Sequence, residues 1–83
     1  MYYIDLRRTA YKDLQDIPQE YVRLISNHID SLEQNPRPPD SKKLKGDAGY
    51  LLRVGTYRLL YDIDDKSKKV TIYRVKHRRE AYR

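Results

Sequence analysis

Eighty-three residues, 39% of them hydrophobic and 36% charged, suffice for one small domain with a modest core, so residues 1–83 are read as a single domain. The absence of cysteine excludes a disulfide framework, a thiolate metal site and a cysteine nucleophile, and two histidines, His28 and His77, cannot build an ordinary zinc site by themselves. No run approaches the roughly 18 apolar residues of a membrane span and no signal peptide opens the chain, so the expectation is a soluble, cytoplasmic protein away from membranes.

The formal net charge of +6 is unevenly placed. Residues 1–41 carry five Lys/Arg against seven Asp/Glu, whereas residues 42–83 carry thirteen against five. A positive field concentrated in one half favours polyanions, by counterion release and by steering. A nucleic-acid partner is the reading that fits best.

In chain order, Tyr2–Leu6 has the aromatic and branched composition of a short strand. Thr9 is placed to cap a helix running to about Asp16, with Ala10, Leu14 and Ile17 at helical spacing. Pro18 interrupts that helix and suits the first turn of a second, about 18–34, whose Val22, Ile25, Ile29 and Leu32 form one apolar stripe. Its opposite face is polar (Gln19, Arg23, Asn27, Asp30), and His28 reads as a packing or surface histidine. Asn35 to Asp40, with Pro36, Pro38 and Pro39, must be a loop.

After it the period changes. Residues 49–54 and 57–63 read as strands joined by Gly55-Thr56, and glycine at the first turn position suits a type II′ hairpin. A polar connection from Asp64 to Lys69 leads to a further strand, Val70–Val75, and a short basic tail. One strand, two helices and three strands predict an α+β fold: an N-terminal strand and two-helix hairpin packed on a mostly antiparallel sheet.

A two-residue turn fixes the register, pairing Val54 with Tyr57, Arg53 with Arg58, Leu52 with Leu59, Leu51 with Leu60 and Tyr50 with Tyr61. Tyr50, Leu52, Val54, Tyr57, Leu59 and Tyr61 then share the face that seats the helices. Arg53 and Arg58 stand directly opposite each other on the other face, where like charges destabilise a sheet. Either both splay into water, or the pair is kept for a ligand. The register of the last strand is open, so either Arg74 or Val75 shares the arginine face. Lys76, His77, Arg78, Arg79 and Arg83 follow, with Tyr82 among them. A nucleobase can stack on a tyrosine while arginines hold phosphate.

Lys43-Leu44-Lys45-Gly46, then Tyr50, Arg53 and Tyr57-Arg58-Leu59-Leu60-Tyr61, and finally Val75-Lys76-His77-Arg78-Arg79-Glu80-Ala81-Tyr82 resemble the RelE branch of the RelE/ParE toxins. The likeness spans the whole chain and is strongest over residues 43–82. It implies a compact, microbial-ribonuclease-like fold that enters the ribosomal A site and cuts messenger RNA there. In that chemistry the ribose 2′-hydroxyl attacks the adjacent phosphate, without metal or organic cofactor, and needs a base, an acid and cations for the phosphorane. Arg58 matches the strand arginine that stabilises the phosphate, Arg78 the tail arginine with the same duty (a slot Arg79 also fits), and Tyr82 the terminal tyrosine that stacks on or orients the messenger. Arg53 falls where the family has a basic residue. The chain departs from the pattern at Leu51, where close relatives carry a lysine.

Arginine stays charged at any working pH, so Arg53 is a poor proton acceptor. His77, whose side-chain type titrates near neutrality, is therefore expected to transfer a proton, with positioning or base stacking as its alternative. Glu80 reads as an ion-pair partner for a nearby arginine. Lys42, Lys43 and Lys45, with Lys76, Arg79 and Arg83, are expected to contact RNA of the messenger or 70S ribosome, a solvated loop being the plainer reading of the first three. The resemblance also implies a RelB-like antitoxin as partner and operator DNA bound only as the toxin–antitoxin complex. The rival readings are a ParE-type gyrase inhibitor, a plain nucleic-acid-binding module and a catalytically inactive relative that binds RNA or antitoxin.

Overall fold

A computed structural model describes residues 1–46 and 49–81, with side chains as far as Arg79. The elements in chain order are β1 (Tyr3–Leu6), α1 (Arg8–Gln15), α2 (Gln19–Ser31), β2 (Ser41–Lys43), β3 (Tyr50–Val54), β4 (Tyr57–Asp64), β5 (Lys69–His77) and α3 (Arg78–Ala81). The five strands form one sheet in the order β1-β5-β4-β3-β2. Only β1 runs parallel to its neighbour, β5; the other pairs are antiparallel. The expected α+β arrangement of two helices on one face of a mostly antiparallel sheet is therefore present.

The helices meet the sheet through the stripes that their spacing foretold. Ala10 of α1, Ile25 and Ile29 of α2, and Leu32 just beyond it are buried against Leu52, Val54, Leu59, Tyr61, Val70, Ile72 and Val75. Val22, the fourth member of the α2 stripe, is half-buried. The β3–β4 register agrees with the expected pairing at every position from Val54–Tyr57 to Tyr50–Tyr61. Gly55 takes a φ of 62° at the first turn position, the left-handed value that a type II′ turn asks of glycine.

Three boundaries differ from expectation. Thr9 does not cap α1. Arg7 occupies the N-cap position without a side-chain cap bond. The Thr9 hydroxyl instead donates to the Tyr73 carbonyl at 2.6 Å, on the edge of β5 that β1 leaves uncovered beyond Ile72. Pro18 lies just outside α2, its carbonyl accepting the Tyr21 and Val22 N–H groups. At its other end α2 tightens into i→i−3 bonds at Leu32, Glu33 and Gln34, so the regular helix stops at Ser31 ahead of Asn35-Pro36.

A further difference is β2, which expectation left as chain leading into the sheet. Ser41–Lys43 is too short and too polar to show an alternation, yet it pairs along the edge of β3. The preceding proline loop is tied down from several sides. Tyr61 donates to the Pro36 carbonyl at 2.8 Å in the interior, and Arg37 holds Asp65 through two guanidinium nitrogens at 3.2 and 2.9 Å. Tyr2 donates to the same carboxylate, and Arg37 also reaches the Tyr50 hydroxyl. The hydrogen bonds from Arg37 and Tyr2 hold the Asp65 carboxyl down at about 2.

Strand β5 is longer than expected and irregular. Leu60 faces Arg74 but Tyr61 faces Ile72, so Tyr73 is an extra residue on β5. Such a bulge reverses the alternation from that point on. Val70 and Ile72 face the helices before it, Val75 faces them after it, and Arg74 is excluded from the core. Arg74 turns to Asp13 of α1 through Nε at 2.8 Å and Nη2 at 3.1 Å, while the Val75 N–H donates to the same carboxylate at 2.9 Å. An edge strand left open is a template for unwanted pairing, and α1 closes this one with side-chain groups. Burial would raise the Asp13 carboxyl, but the hydrogen bonds from Arg74 and Val75, with the Arg74 charge, outweigh it and hold the group below its ordinary value.

Candidate functional site

The bulge decides what stands beside the two arginines. With the alternation reversed, β5 presents Lys76 directly opposite Arg58, and β3 presents Arg53 opposite Arg58 from the other side. Arg53, Arg58 and Lys76 thus form a straight row across three neighbouring strands, on the face opposite α1 and α2. Strand spacing puts the outer two about 10 Å apart at the backbone. Like charges directly opposed on a sheet are unfavourable, and this row contains two such pairs in succession.

The two arginines differ in environment. Arg53 is exposed, whereas Arg58 is only 4% exposed. Its Nη1 donates to the carbonyls of Gly55 and Tyr57, at 3.3 and 3.0 Å, so the guanidinium is folded back over its own hairpin turn. That turn also receives the start of α3, because the Arg78 N–H donates to the Thr56 carbonyl at 2.6 Å. Arg78 and Arg79, both exposed, therefore leave the backbone at the same end of the sheet as the row.

His77 is not brought to the arginines. It pairs with Tyr57, whose own β3 partner is the buried Val54, so it lies on the helix face. Its ring stands edge-on to Tyr57 with centroids 5.4 Å apart, and Tyr57 in turn contacts Tyr21 of α2. A cleft of about 240 Å³ opens there, lined by Asp13, Asp16, Ile17, Tyr57, Val75 and His77. The expectation that His77 joins Arg53 and Arg58 fails for a simple reason. Successive strand residues point to opposite faces, and Lys76 takes the arginine side. The His77 Nδ1 accepts a long contact, 3.4 Å, from the Arg79 N–H, which ties the ring to the first turn of α3.

The lysines before the main hairpin also separate. Lys42 pairs with Leu51, which shares the face of Arg53; Lys43 pairs with Tyr50 on the opposite side. Lys43 lines a second cleft, of about 320 Å³, with Arg37, Tyr50 and Asp62. Lys45 is exposed beyond the end of β2. Tyr82 and Arg83 lie outside the described residues, as does the Glu80 side chain. Among the described residues, no group of three or more His, Asp or Glu side chains could hold a metal ion, and no helix is long and apolar enough to cross a membrane.

Residues 4–82 match the family described as the ParE toxin of type II toxin–antitoxin system, parDE. The toxin RelG of Mycobacterium tuberculosis is 35% identical over 86 residues, an alignment covering 99% of this chain and 97% of that protein. The chain is a RelE-type toxin of the RelE/ParE superfamily. Solved structures agree with that assignment. The M. tuberculosis toxin–antitoxin complex RelBE2 contains a chain that is 34% identical, with a TM-score of 0.82 over 93% of this chain and 98% of that one. The archaeal RelE–RelB complex of Pyrococcus horikoshii gives 31% identity and a TM-score of 0.83 over 93% and 94%. Set on the toxin, Arg53 and Arg58 occupy the open face, Arg78 opens α3 at its border, and Lys76 joins them in a register that the sequence left open.

Proposed function

We propose that this toxin is a ribosome-dependent endoribonuclease that cuts messenger RNA in the A site without a metal, by attack of a ribose 2′-hydroxyl on the adjacent phosphate. The observation that carries this reading is the row Arg53–Arg58–Lys76 on the face opposite α1 and α2, with Arg78 at its end. The 2′-oxygen gives its proton to water as it bonds to phosphorus, which places extra negative charge on the phosphorane oxygens; the P–O5′ bond to the next nucleotide then breaks, the 5′-oxygen takes a proton from water, and a cyclic phosphate is left. Fixed cations at that point stabilise the transition state more than the ground state, and that difference is what accelerates the step. Arg58 sits at the centre of the row and is the residue for the phosphorane; Arg53, Lys76 and Arg78 hold the flanking phosphates and the in-line geometry. Tyr82 is assigned to the messenger base, and Lys42, Lys45, Arg79 and Arg83 to RNA backbone contacts, whereas Lys43, paired with Tyr50 on the opposite side of the sheet, is left out of the set.

His77 loses the proton-transfer role under this reading. Its place against Tyr57 makes it a positioning residue for the start of α3. A RelB-like antitoxin is the proposed protein partner, which the toxin–antitoxin complexes among the similar structures support. An acidic segment laid over the row would neutralise it by direct competition with RNA, and operator binding would belong to the complex.

Primer extension on a messenger paused on purified ribosomes, with a ribosome-free control, tests the reading. Cleavage within the A-site codon, only when ribosomes are present and undiminished by EDTA at a fixed magnesium level that keeps the ribosomes intact, is the expected result. Intact messenger from a toxin that demonstrably binds ribosomes points to an inactive binder. Failure to bind them turns attention to gyrase, the target of the rival branch.

A further inference from the structure

Strand β2 divides two adjacent lysines between the faces of the sheet. Lys42 stands opposite Leu51 on the face of Arg53, and Lys43 stands opposite Tyr50 on the other. Leu51 in turn faces Leu60, so a half-buried apolar strip runs across the open face immediately beside the cation row. A lysine stem lies comfortably along such a strip while its ammonium stays in water. Arg53 is the next residue of β3 on that face, diagonal to Lys42 at a backbone separation of about 7–8 Å. Lys42 is exposed and on the flank of the row, whereas Lys43 lines the cleft with Arg37 and Asp62.

We infer that Lys42 is a substrate-positioning residue: it extends the row Arg53–Arg58–Lys76 by one strand and holds a phosphate of the RNA next to the one that reacts. This rests on the nuclease reading and adds to it a division of labour between neighbours that charge alone would treat alike. A second consequence follows from register. Because Lys42 and Leu51 are directly paired, a lysine supplied from position 51 puts an ammonium over the same strip, from β3 instead of β2. The two sites are interchangeable sources of one charge.

The test is single-turnover cleavage on programmed ribosomes, with the rate at saturating toxin separated from the half-saturating concentration. Lys42→Met lowers the saturated rate about tenfold or more, the size expected for a lost charge-assisted contact to the reacting strand. Lys43→Met stays within about twofold, Lys42→Arg keeps the wild-type rate, and Lys42→Met/Leu51→Lys recovers most of the loss. Thermal melts of each variant confirm equal folding. Equal effects of Lys42→Met and Lys43→Met, or a change confined to half-saturation, overturn the inference and leave the nuclease reading intact. Failure of Leu51→Lys to restore the rate, in a variant that melts like wild type, also overturns it. A wild-type toxin that leaves the messenger whole removes the nuclease reading and this inference together.

Discussion

On the helix face, Leu52, Leu59 and Val75 lie side by side across three strands, each buried and each against an apolar neighbour. One residue further along the same strands, on the other face, the neighbours are Arg53, Arg58 and Lys76. The backbone ladder is identical for both rows. What differs is the side chains: the first row buries apolar surface, which favours folding, and the second sets like charges directly opposite one another, which opposes it. A domain of this size has only a small stability margin, so three cations set side by side, where like charges weaken a sheet, are the mark of a function. The distinction hangs on the extra residue at Tyr73, without which β5 would set Val75 beside Arg58.

Neighbouring residues of β4 offer the sharpest way to break that comparison. Arg58→Ala is expected to slow single-turnover cleavage on ribosomes by a factor on the order of 10²–10³, as for the loss of one preorganised transition-state contact. Its melting midpoint should shift far less than that of Leu59→Ala. The latter removes a fully buried side chain and should cost about 2–5 kcal/mol in denaturant titrations, while the rate per folded molecule is kept. If both variants lose activity only in proportion to folded protein, the two faces do not differ in kind.

Gly49→Ala probes the frame of the site. Gly49 has a φ of 85°, and a Cβ there would collide with the Tyr61 carbonyl oxygen. A loss of about 1–3 kcal/mol is expected, read from the urea midpoint, with cleavage by the folded fraction unchanged. Acid should act on the same frame and spare the row. Asp65, held at about 2, and Asp13, held below its ordinary value, contribute stability that is complete above the unfolded carboxylate pKa of about 4 and is lost as pH falls through their folded values. Urea midpoints measured down this range should fall, and less steeply in Asp65→Asn and Asp13→Asn. The smallest effect is expected of His77→Ala, within about fivefold in saturated rate, since the ring touches Tyr57 and the Arg79 N–H on the far side of the sheet. A loss matching that of Arg58→Ala would return the proton to His77.

The hairpin carried most of what was legible beforehand. Gly55-Thr56 between two alternating runs specifies turn, register and faces together, so the opposed Arg53–Arg58 pair could be read without coordinates. The helical stripes were equally plain, since Ile25, Ile29 and Leu32 recur at the period of a buried face. Lys76 was named as an RNA contact, but its place opposite Arg58 depends on a bulge that no turn residue announces. Thr9 shows the limit of local rules. A hydroxyl near a helix start looks like a cap, but the uncovered Tyr73 carbonyl on β5 claimed it. Lys42 and Lys43 were indistinguishable because a three-residue polar strand has no hydrophobic pattern of its own and takes its faces from β3. His77, expected to transfer a proton, had no face assigned because the register of β5 was open; it lies one step of alternation from Lys76, which on a strand is the whole thickness of the sheet.

The most direct test of the row as a functional surface is one protein measured twice. Arg53→Gln/Lys76→Gln removes the exposed and the half-buried outer charge and keeps Arg58, and neither change empties a core position. Urea-derived stability within about 1 kcal/mol of wild type is expected, with messenger cleavage on ribosomes reduced at least a hundredfold. A variant that loses several kcal/mol of stability yet cleaves at the wild-type rate per folded molecule would make the row a structural feature and contradict the account.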